Sequence, residues 1–216
     1  MSELHESQPL RSAGKPLTDA DAALILIHGR GATAESILPL SDALGASEFA
    51  VLAPQAMNSA WYPNRFIAPK AQNEPYLSSA LRMLANLVAK VNEPGIPIER
   101  LVIGGFSQGA CLASEFVAQN PARYGGLLVF SGGLIGEGPS VSAEMYSGVL
   151  KGTPVFIGCS DVDFHIPVER VHETASILSI LGAEVNEKIY PGMGHTIIQN
   201  EIDEAKGILE GLLTKR

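Results

Sequence analysis

Short, uninterrupted apolar runs recur along the chain and alternate with segments of helical periodicity. The first run, residues 22–27, contains no polar side chain and ends directly before His28 and Gly29. Such a run is typical of a strand that is buried on both faces, as in a parallel sheet covered by helices. Further runs predict five more strands, at residues 49–53, 100–104, 127–130, 154–158 and 185–190.

Three segments between and after these strands place apolar side chains on one helical face. The residues on these faces are Leu77, Leu81, Leu84, Val88 and Val91; Val168, Val171, Ala175, Leu178 and Leu181; and Ile198, Ile202, Ala205, Leu209 and Leu212. Strands that alternate with helices predict an α/β fold. We therefore expect a mostly parallel central sheet flanked by helices on both faces, in a single domain over residues 22–216. The polar residues 1–21, interrupted by Pro9, Gly14 and Pro16, are expected to form an N-terminal extension.

Charge and composition exclude several classes of protein. Fifteen Lys and Arg against 23 Asp and Glu give a net charge of −8, which argues against a nucleic-acid partner. No apolar stretch approaches the ~18 residues that a transmembrane helix needs, and the polar start lacks the apolar core of a signal peptide. The two cysteines, Cys111 and Cys159, are too few for a disulfide framework and are expected to be free thiols. These features predict a cytoplasmic protein without a membrane span.

The strongest chemical signal follows the third predicted strand. Residues 105–109 read G-F-S-Q-G, a G-x-S-x-G pattern between a strand and a segment rich in small residues. In this context the serine lies on a sharp strand-to-helix turn that exposes its hydroxyl. The helix N-terminus behind Ser107 favours developing negative charge. The pattern therefore predicts Ser107 as a nucleophile.

A nucleophilic serine needs a base, and the base needs a carboxylate that orients it. In this architecture the chain order is Ser, then Asp or Glu, then His. Asp163 follows the fifth predicted strand and His195 follows the sixth, so both can reach Ser107 at the carboxyl edge of the sheet. Asp161 is a second candidate for the carboxylate. His165 is the rival base, although it shares one short loop with both aspartates.

Attack on a carbonyl creates an oxyanion that needs preorganised hydrogen-bond donors. One donor is expected to be the backbone N–H of Gln108, directly after the nucleophile. The second usually comes from the loop after an earlier strand, here residues 28–32, in which Gly29 and Gly31 allow a close backbone approach. We assign this second donor to the backbone N–H of Arg30.

Together these motifs resemble the phospholipase/carboxylesterase family of α/β-hydrolases, which includes small bacterial carboxylesterases and acyl-protein thioesterases. The motifs are Gly104-Gly105-Phe106-Ser107-Gln108-Gly109, His28-Gly29-x-Gly31, Asp161-x-Asp163-x-x-Ile166-Pro167 and Gly194-His195, and the resemblance extends over residues 22–213. It implies the α/β-hydrolase fold and a Ser107–Asp163–His195 triad, with Asp163 as the second aspartate of the family's D-x-D element. It also implies a serine hydrolase that needs no metal and no organic cofactor.

The substrate pocket is predicted from aromatic and basic side chains near these motifs. The irregular stretch 53–75 is a predicted functional loop, and Trp61, Phe66 and Phe164 are expected to line an apolar acyl pocket. Arg30 or Arg65 is expected to recognise an anionic or strongly polar substrate group. Arg30 stands where members of the family often carry leucine.

These residues predict a carboxylesterase that acts on a small-molecule ester. A thioesterase or lysophospholipase of the same family remains an alternative, as does a non-catalytic binding protein that uses the same pocket. A homodimer is left open, because related folds often pair through surface loops and helices. No metal site is predicted, since His165, Glu169 and His172 read as a solvent-facing helix surface rather than a ligand set.

Overall fold

The computed structural model describes residues 4–138 and 141–214. Residues 1–3, 139–140 and 215–216, which belong to the predicted extension and domain, lie outside the described residues. The strands are β1 (Leu10–Gly14), β2 (Ala23–Ile27), β3 (Ala50–Pro54), β4 (Leu101–Phe106), β5 (Gly126–Phe130), β6 (Pro154–Ser160) and β7 (Glu184–Tyr190). The helices are α1 (Ala34–Ile37), α2 (Pro39–Ala43), α3 (Tyr76–Asn92), α4 (Gln108–Gln119), α5 (Val168–Ile180) and α6 (Gln199–Thr214).

Within the described ranges the seven strands form one sheet in the order β1-β3-β2-β4-β5-β6-β7. Strands β2 to β7 run parallel to their neighbours, and only β1, at the edge, pairs antiparallel with β3. The predicted α/β-hydrolase fold, with a mostly parallel central sheet, is confirmed. All five loops that carry the predicted site residues follow carboxyl ends of parallel strands, which places them at one edge of the sheet.

Helices cover both faces of the sheet, and this explains the uninterrupted apolar runs. Helices α3, α4 and α5 pack on one face, and α1, α2 and α6 pack on the other. Along β2 the side chains alternate between the two layers: Ile25 and Ile27 join the first, and Leu24 and Leu26 join the second. Each buried side chain of this size stabilises the fold by about 1.5–3 kcal/mol. Among the helices of the described residues, none has the length and apolar content to cross a membrane.

The segment predicted as an N-terminal extension differs in the structure, because part of it belongs to the sheet. Residues 10–14 form β1, which pairs in register from Leu10 opposite Pro54 to Gly14 opposite Ala50. The preceding residues also pack onto the domain, since His5 is only 1% exposed. The imidazole of His5 donates to the carbonyl of Trp61 and accepts from the N–H of Met57. The segment thus supports the loop that follows β3.

Close packing of α4 against β2 depends on one glycine. A Cβ at Gly109 would lie 2.1 Å from the carbonyl oxygen of Ile27 and 2.5 Å from that of His28. Both atoms are backbone, so the helix itself would have to move. Gly207, within α6, has no atom within 4 Å of its Cβ position and is exposed.

Replacing Gly109 by alanine is therefore expected to lower the free energy of unfolding by about 2 kcal/mol or more, because the added methyl overpacks backbone. The matched change Gly207→Ala is expected to raise it by roughly 0.5–1 kcal/mol, because alanine favours the helix. Urea unfolding followed by circular dichroism measures both values. Equal shifts in the two variants would contradict the packing argument.

Candidate active site

Ser107 occupies the turn between β4 and α4 in a strained backbone conformation. Its φ is 56° and its ψ is −120°, a region that a non-glycine residue rarely adopts. The turn is held by the Ser107 N–H, which donates to the carbonyl of Phe130 at 2.9 Å, and by the Cys111 N–H, which donates to the Ser107 carbonyl at 3.0 Å. The sharp turn predicted from G-x-S-x-G is present, and it directs the Ser107 hydroxyl towards the loop after β7.

A chain of hydrogen bonds joins the three residues predicted as a triad. The Nε2 atom of His195 lies 2.8 Å from the Oγ of Ser107, and its Nδ1 lies 2.6 Å from the Oδ2 of Asp163. With the Nδ1 proton donated to the carboxylate, Nε2 is free to accept the Ser107 hydroxyl proton. The rival histidine, His165, lies beside this chain with its ring centroid 4.8 Å from that of His195.

The two candidate carboxylates have different positions. Asp163 is buried, and its Oδ1 accepts hydrogen bonds from the N–H groups of His165 (2.8 Å) and Ile166 (3.2 Å). These contacts fix the carboxylate so that Oδ2 faces His195. Asp161 is exposed and accepts instead from the N–H of Gly192 at 2.8 Å, which ties it to the loop that carries His195.

The backbone N–H groups assigned to the oxyanion hole belong to residues that line the same cavity as Ser107. In the described part of the chain, no hydrogen bond uses the N–H of Arg30 or of Gln108. The loop between β2 and α1 is shaped by Gly31, whose φ is 77° and whose N–H donates to the Ser59 carbonyl at 2.7 Å. Both N–H groups are thus available to a ligand.

The side chain of Arg30 is committed to the protein rather than directed at a ligand. Its guanidinium donates to the carbonyls of Tyr62 (2.8 Å), Pro63 (3.0 Å) and Asn64 (2.7 Å). The side-chain amide of Gln108 holds the same loop, donating to the Tyr62 carbonyl at 2.8 Å. The sequence prediction considered only the backbone N–H of Gln108 and did not foresee this support.

Trp61 lies in the core and not in the predicted acyl pocket. Its side chain is fully buried, and its indole N–H donates to the carbonyl of His28 at 2.8 Å. His28 is buried as well; its Nε2 accepts from the N–H of Ala56, and its Nδ1 therefore carries a proton and donates to the carbonyl of Gly29. Burial lowers the pKa of His28, which favours this neutral form. Trp61 thus stabilises the loop after β2 from the core side, through its hydrogen bond to His28.

A cavity of about 560 Å³ opens beside Ser107 and His195. Apolar side chains, among them Phe66 and Ile166, form much of its wall, and Arg65 lies at its mouth. The guanidinium of Arg170 packs over the ring of Phe66, 5.9 Å from its centroid.

Phe164 was predicted to line this pocket, but its side chain is 80% exposed and packs against the ring of His165. Of the described residues that line the cavity, none is Trp61 or Phe164.

A buried carboxylate that the sequence did not reveal joins the loops behind the cavity. Glu115 on α4 is fully buried and accepts from Lys70 Nζ at 2.5 Å, from the Ile135 N–H at 3.0 Å and from the Tyr146 hydroxyl at 3.1 Å. These three partners lie outside the α-helices and strands, and the side-chain amide of Gln119, one turn later on α4, donates to the same carboxylate at 2.6 Å. A glutamate in a small-residue helix gives no local signal of the first three contacts, because those partners are distant in sequence.

A second buried carboxyl, that of Glu201, lies at the start of α6, directly after the loop that carries His195. Its Oε2 accepts from the Ile198 N–H at 2.9 Å, whereas its Oε1 has no hydrogen-bond partner among the described residues. The carboxyl packs against Gly158 of β6, where a Cβ would lie 2.3 Å from Oε1. Burial raises the pKa of Glu201 to about 7.

Because the folded state retains the Glu201 proton that the unfolded chain releases near its ordinary pKa of 4.5, stability falls as pH rises from about 5 to 8. Glu201→Gln removes the ionisation, so its free energy of unfolding is expected to rise relative to that of the wild type by roughly 2–3 kcal/mol between pH 5 and pH 8. The control is Glu210→Gln on the exposed side of the same helix. Urea unfolding of the three proteins at both pH values measures the difference, and a pH-independent gap between Glu201→Gln and the wild type would contradict the assignment.

The sheet order, the strained serine turn and the hydrogen-bonded Ser107–His195–Asp163 chain define an α/β-hydrolase. Comparisons with known proteins agree. The model of the Phospholipase/Carboxylesterase family matches residues 13–213. The chain therefore belongs to the phospholipase/carboxylesterase family and is a serine hydrolase of the esterase and thioesterase type.

Some relatives are named as carboxylesterases and others as thioesterases. A crystal structure of a phospholipase/carboxylesterase from Dyadobacter fermentans is 42% identical, with a TM-score of 0.90 over 96% of this chain and 97% of that one. Acyl-protein thioesterase 1 of Eremothecium gossypii is 30% identical over 95% of this chain and 93% of its own length. Acyl-protein thioesterase 1 of Gibberella zeae is 33% identical over 57% of this chain and 53% of its own length.

Proposed function

We propose that this chain is a carboxylesterase that cleaves small-molecule oxygen esters through an acyl-enzyme on Ser107. The observation that carries the proposal is the hydrogen-bonded chain from Ser107 through His195 to Asp163, which opens onto the cavity. A non-catalytic binding protein would need the same cavity, but it would not need three hydrogen-bonded residues in this order. The 42% identity to the Dyadobacter fermentans protein, a phospholipase/carboxylesterase by name, supports the ester rather than the thioester as substrate.

The geometry supports a two-stage mechanism. His195 Nε2 takes the hydroxyl proton while Ser107 Oγ attacks the ester carbonyl carbon, and the carbonyl oxygen becomes an oxyanion held by the N–H groups of Gln108 and Arg30. The intermediate then expels the alcohol, which receives the proton from His195. Water repeats the two steps on the acyl-enzyme and releases the acid. General base catalysis contributes roughly 10²–10⁴-fold, and each oxyanion donor roughly 10²–10³-fold.

Asp163 acts on the base rather than on the substrate. Its carboxylate holds the Nδ1 proton of His195, which fixes the reactive tautomer and stabilises the imidazolium that forms during attack. The two backbone N–H groups on its other oxygen keep the carboxylate in place. Arg30 has a double role in this scheme, since its N–H faces the oxyanion and its guanidinium fixes the loop above the cavity.

Thioester cleavage is the second candidate, because two relatives that are 30% and 33% identical are named acyl-protein thioesterase 1. The two functions are separated by ethyl butyrate and S-ethyl thiobutyrate, which share an acyl group. After each rate is divided by the rate of hydroxide-catalysed hydrolysis, we expect a larger kcat/KM for the oxygen ester. A larger corrected kcat/KM for the thioester would identify a thioesterase. Preferential release of fatty acid from a lysophospholipid would identify a lysophospholipase. If none of these substrates is hydrolysed, the proposal that the chain is an enzyme is overturned.

A further inference from the structure

The lining of the cavity is positively charged, in contrast to the protein as a whole. Two guanidiniums, those of Arg30 and Arg65, line the cavity, and no Asp or Glu is found among its described lining residues. This occurs in a chain whose formal net charge is −8. A cleft lined by charge of one sign concentrates its field and attracts ligands of the opposite sign.

Neither guanidinium is neutralised by a carboxylate. Within residues 4–138 and 141–214, no ion pair includes Arg30 or Arg65. By contrast, Arg11, Arg82 and Arg170 each pair with a glutamate. The positive charges of the two cavity arginines therefore have no carboxylate partner in the described part of the chain.

The two arginines differ in how many of their donors are in use. Arg30 donates three hydrogen bonds to carbonyls at 2.7–3.0 Å, so its guanidinium is fixed and contributes charge from a set position. Among the described residues, the Arg65 side chain makes one long hydrogen bond of 3.5 Å, from Nη2 to the carbonyl of His165. Its side chain is exposed at the mouth, and most of its planar array of donors is unoccupied.

The hydrogen bond from Arg65 to His165 also links two loops that line the cavity. Arg65 belongs to the loop after β3, and His165 belongs to the loop after β6, directly beyond Asp163. A group bound by Arg65 would therefore lie at the mouth of the same cavity that contains Ser107 and His195. A guanidinium with free parallel N–H groups fits a carboxylate or phosphate better than any neutral group.

We infer that the enzyme prefers esters that carry an anionic group, with Arg65 as the specificity-determining residue that binds it. This inference rests on the proposed esterase function and names its substrate class. The anion can belong to the acyl part, as in a half-ester of a dicarboxylic acid, or to the alcohol part of the ester. Arg65 would bind the anion in the same way in both cases, and the experiment below shows which part of the ester carries it.

Two pairs of substrates differ only in charge. For the acyl part, mono-p-nitrophenyl glutarate is compared with its primary amide, and for the leaving group, para-acetoxybenzoate is compared with para-acetoxybenzamide. The wild type is expected to prefer the anionic member of one pair, which identifies the side of the ester that faces Arg65. Arg65→Ala is expected to lower the anionic-to-neutral ratio of kcat/KM in that pair by about tenfold. Arg65→Lys should retain part of the preference, because the charge remains without the planar donors.

Lys90→Ala, which removes one exposed positive charge on α3 away from the cavity, is the matched control and should leave both ratios unchanged. Added salt should lower the wild-type ratio, because it screens the attraction. An unchanged ratio in Arg65→Ala for both pairs overturns the inference and leaves the esterase function standing. Equal product release by the wild type and Ser107→Ala would instead overturn the proposed function.

Discussion

Replacing Ser107 by alanine is expected to lower kcat/KM for an oxygen ester by about 10⁴- to 10⁶-fold. The change removes the nucleophile, and the remaining donors and base cannot form the acyl-enzyme. The side chain is partly buried and its only described side-chain partner is His195, so the fold is expected to persist. Steady-state kinetics with p-nitrophenyl butyrate measures the loss.

The matched control lies in the same helix. Ser114 on α4 is buried, and its hydroxyl donates to the carbonyl of Ala110, away from the cavity lining. Ser114→Ala is expected to keep kcat/KM within about threefold, although the loss of one buried hydrogen bond costs about 1 kcal/mol of stability. A Ser107→Ala protein that retained a tenth of the wild-type activity would exclude Ser107 as the nucleophile.

Replacing Asp163 by asparagine is expected to lower kcat by about 10⁴-fold. The N–H groups of His165 and Ile166 require an oxygen at the Oδ1 position, so the new amide nitrogen must take the place of Oδ2. It would donate to Nδ1 of His195 and force the imidazole proton onto Nε2. In that tautomer His195 cannot accept the Ser107 proton.

Asp161→Asn provides the comparison two residues away. Its amide oxygen can still accept from the N–H of Gly192, so the loop that carries His195 should keep its position. We expect kcat to stay within about tenfold of the wild type, well short of the effect at Asp163. A loss in Asp161→Asn as large as that in Asp163→Asn, measured with the same ester, would contradict the assignment of Asp163 as the triad carboxylate.

The sequence predicts best where one local pattern has one physical explanation. The apolar run that became β2 is buried on both faces, and a central parallel strand is the structure that requires such burial. The turn at Ser107 was predictable for a similar reason, because the glycines on either side leave no room for a Cβ: at Gly105 it would lie 2.6 Å from the backbone of Gly109. The strands end where the loops of the site begin, so the chain order of Ser107, Asp163 and His195 was sufficient to place all three at one edge.

Edge strands and loop side chains could not be predicted in this way. β1 is half exposed, with polar residues and two small ones, so its pattern does not differ from that of a coil. Trp61 faces the core because its indole N–H meets the carbonyl of His28, a partner that no spacing rule identifies. Phe164 is 80% exposed whereas Asp163 next to it is buried, and no periodicity in a loop distinguishes the two directions.

Arg30 illustrates the same limit for charged residues. Its position in the loop after β2 correctly indicated that it lies near the nucleophile. The use of its guanidinium depended on three carbonyls of a loop that is more than 30 residues away, and only the folded chain brings these together. The remaining arginine at the cavity, Arg65, keeps its donors available and is therefore the better candidate for substrate recognition.

The central claim, an acyl-enzyme on Ser107, is tested most directly by rapid mixing with p-nitrophenyl acetate. The reaction is quenched with acid within the first turnover, and the acetylated residue is located by peptide mass spectrometry. The account predicts a burst of p-nitrophenol equal to the enzyme concentration, with the acetyl group on the peptide that contains Ser107 and no labelling in Ser107→Ala. An acetyl group on another residue, or the same burst in Ser107→Ala, would contradict it.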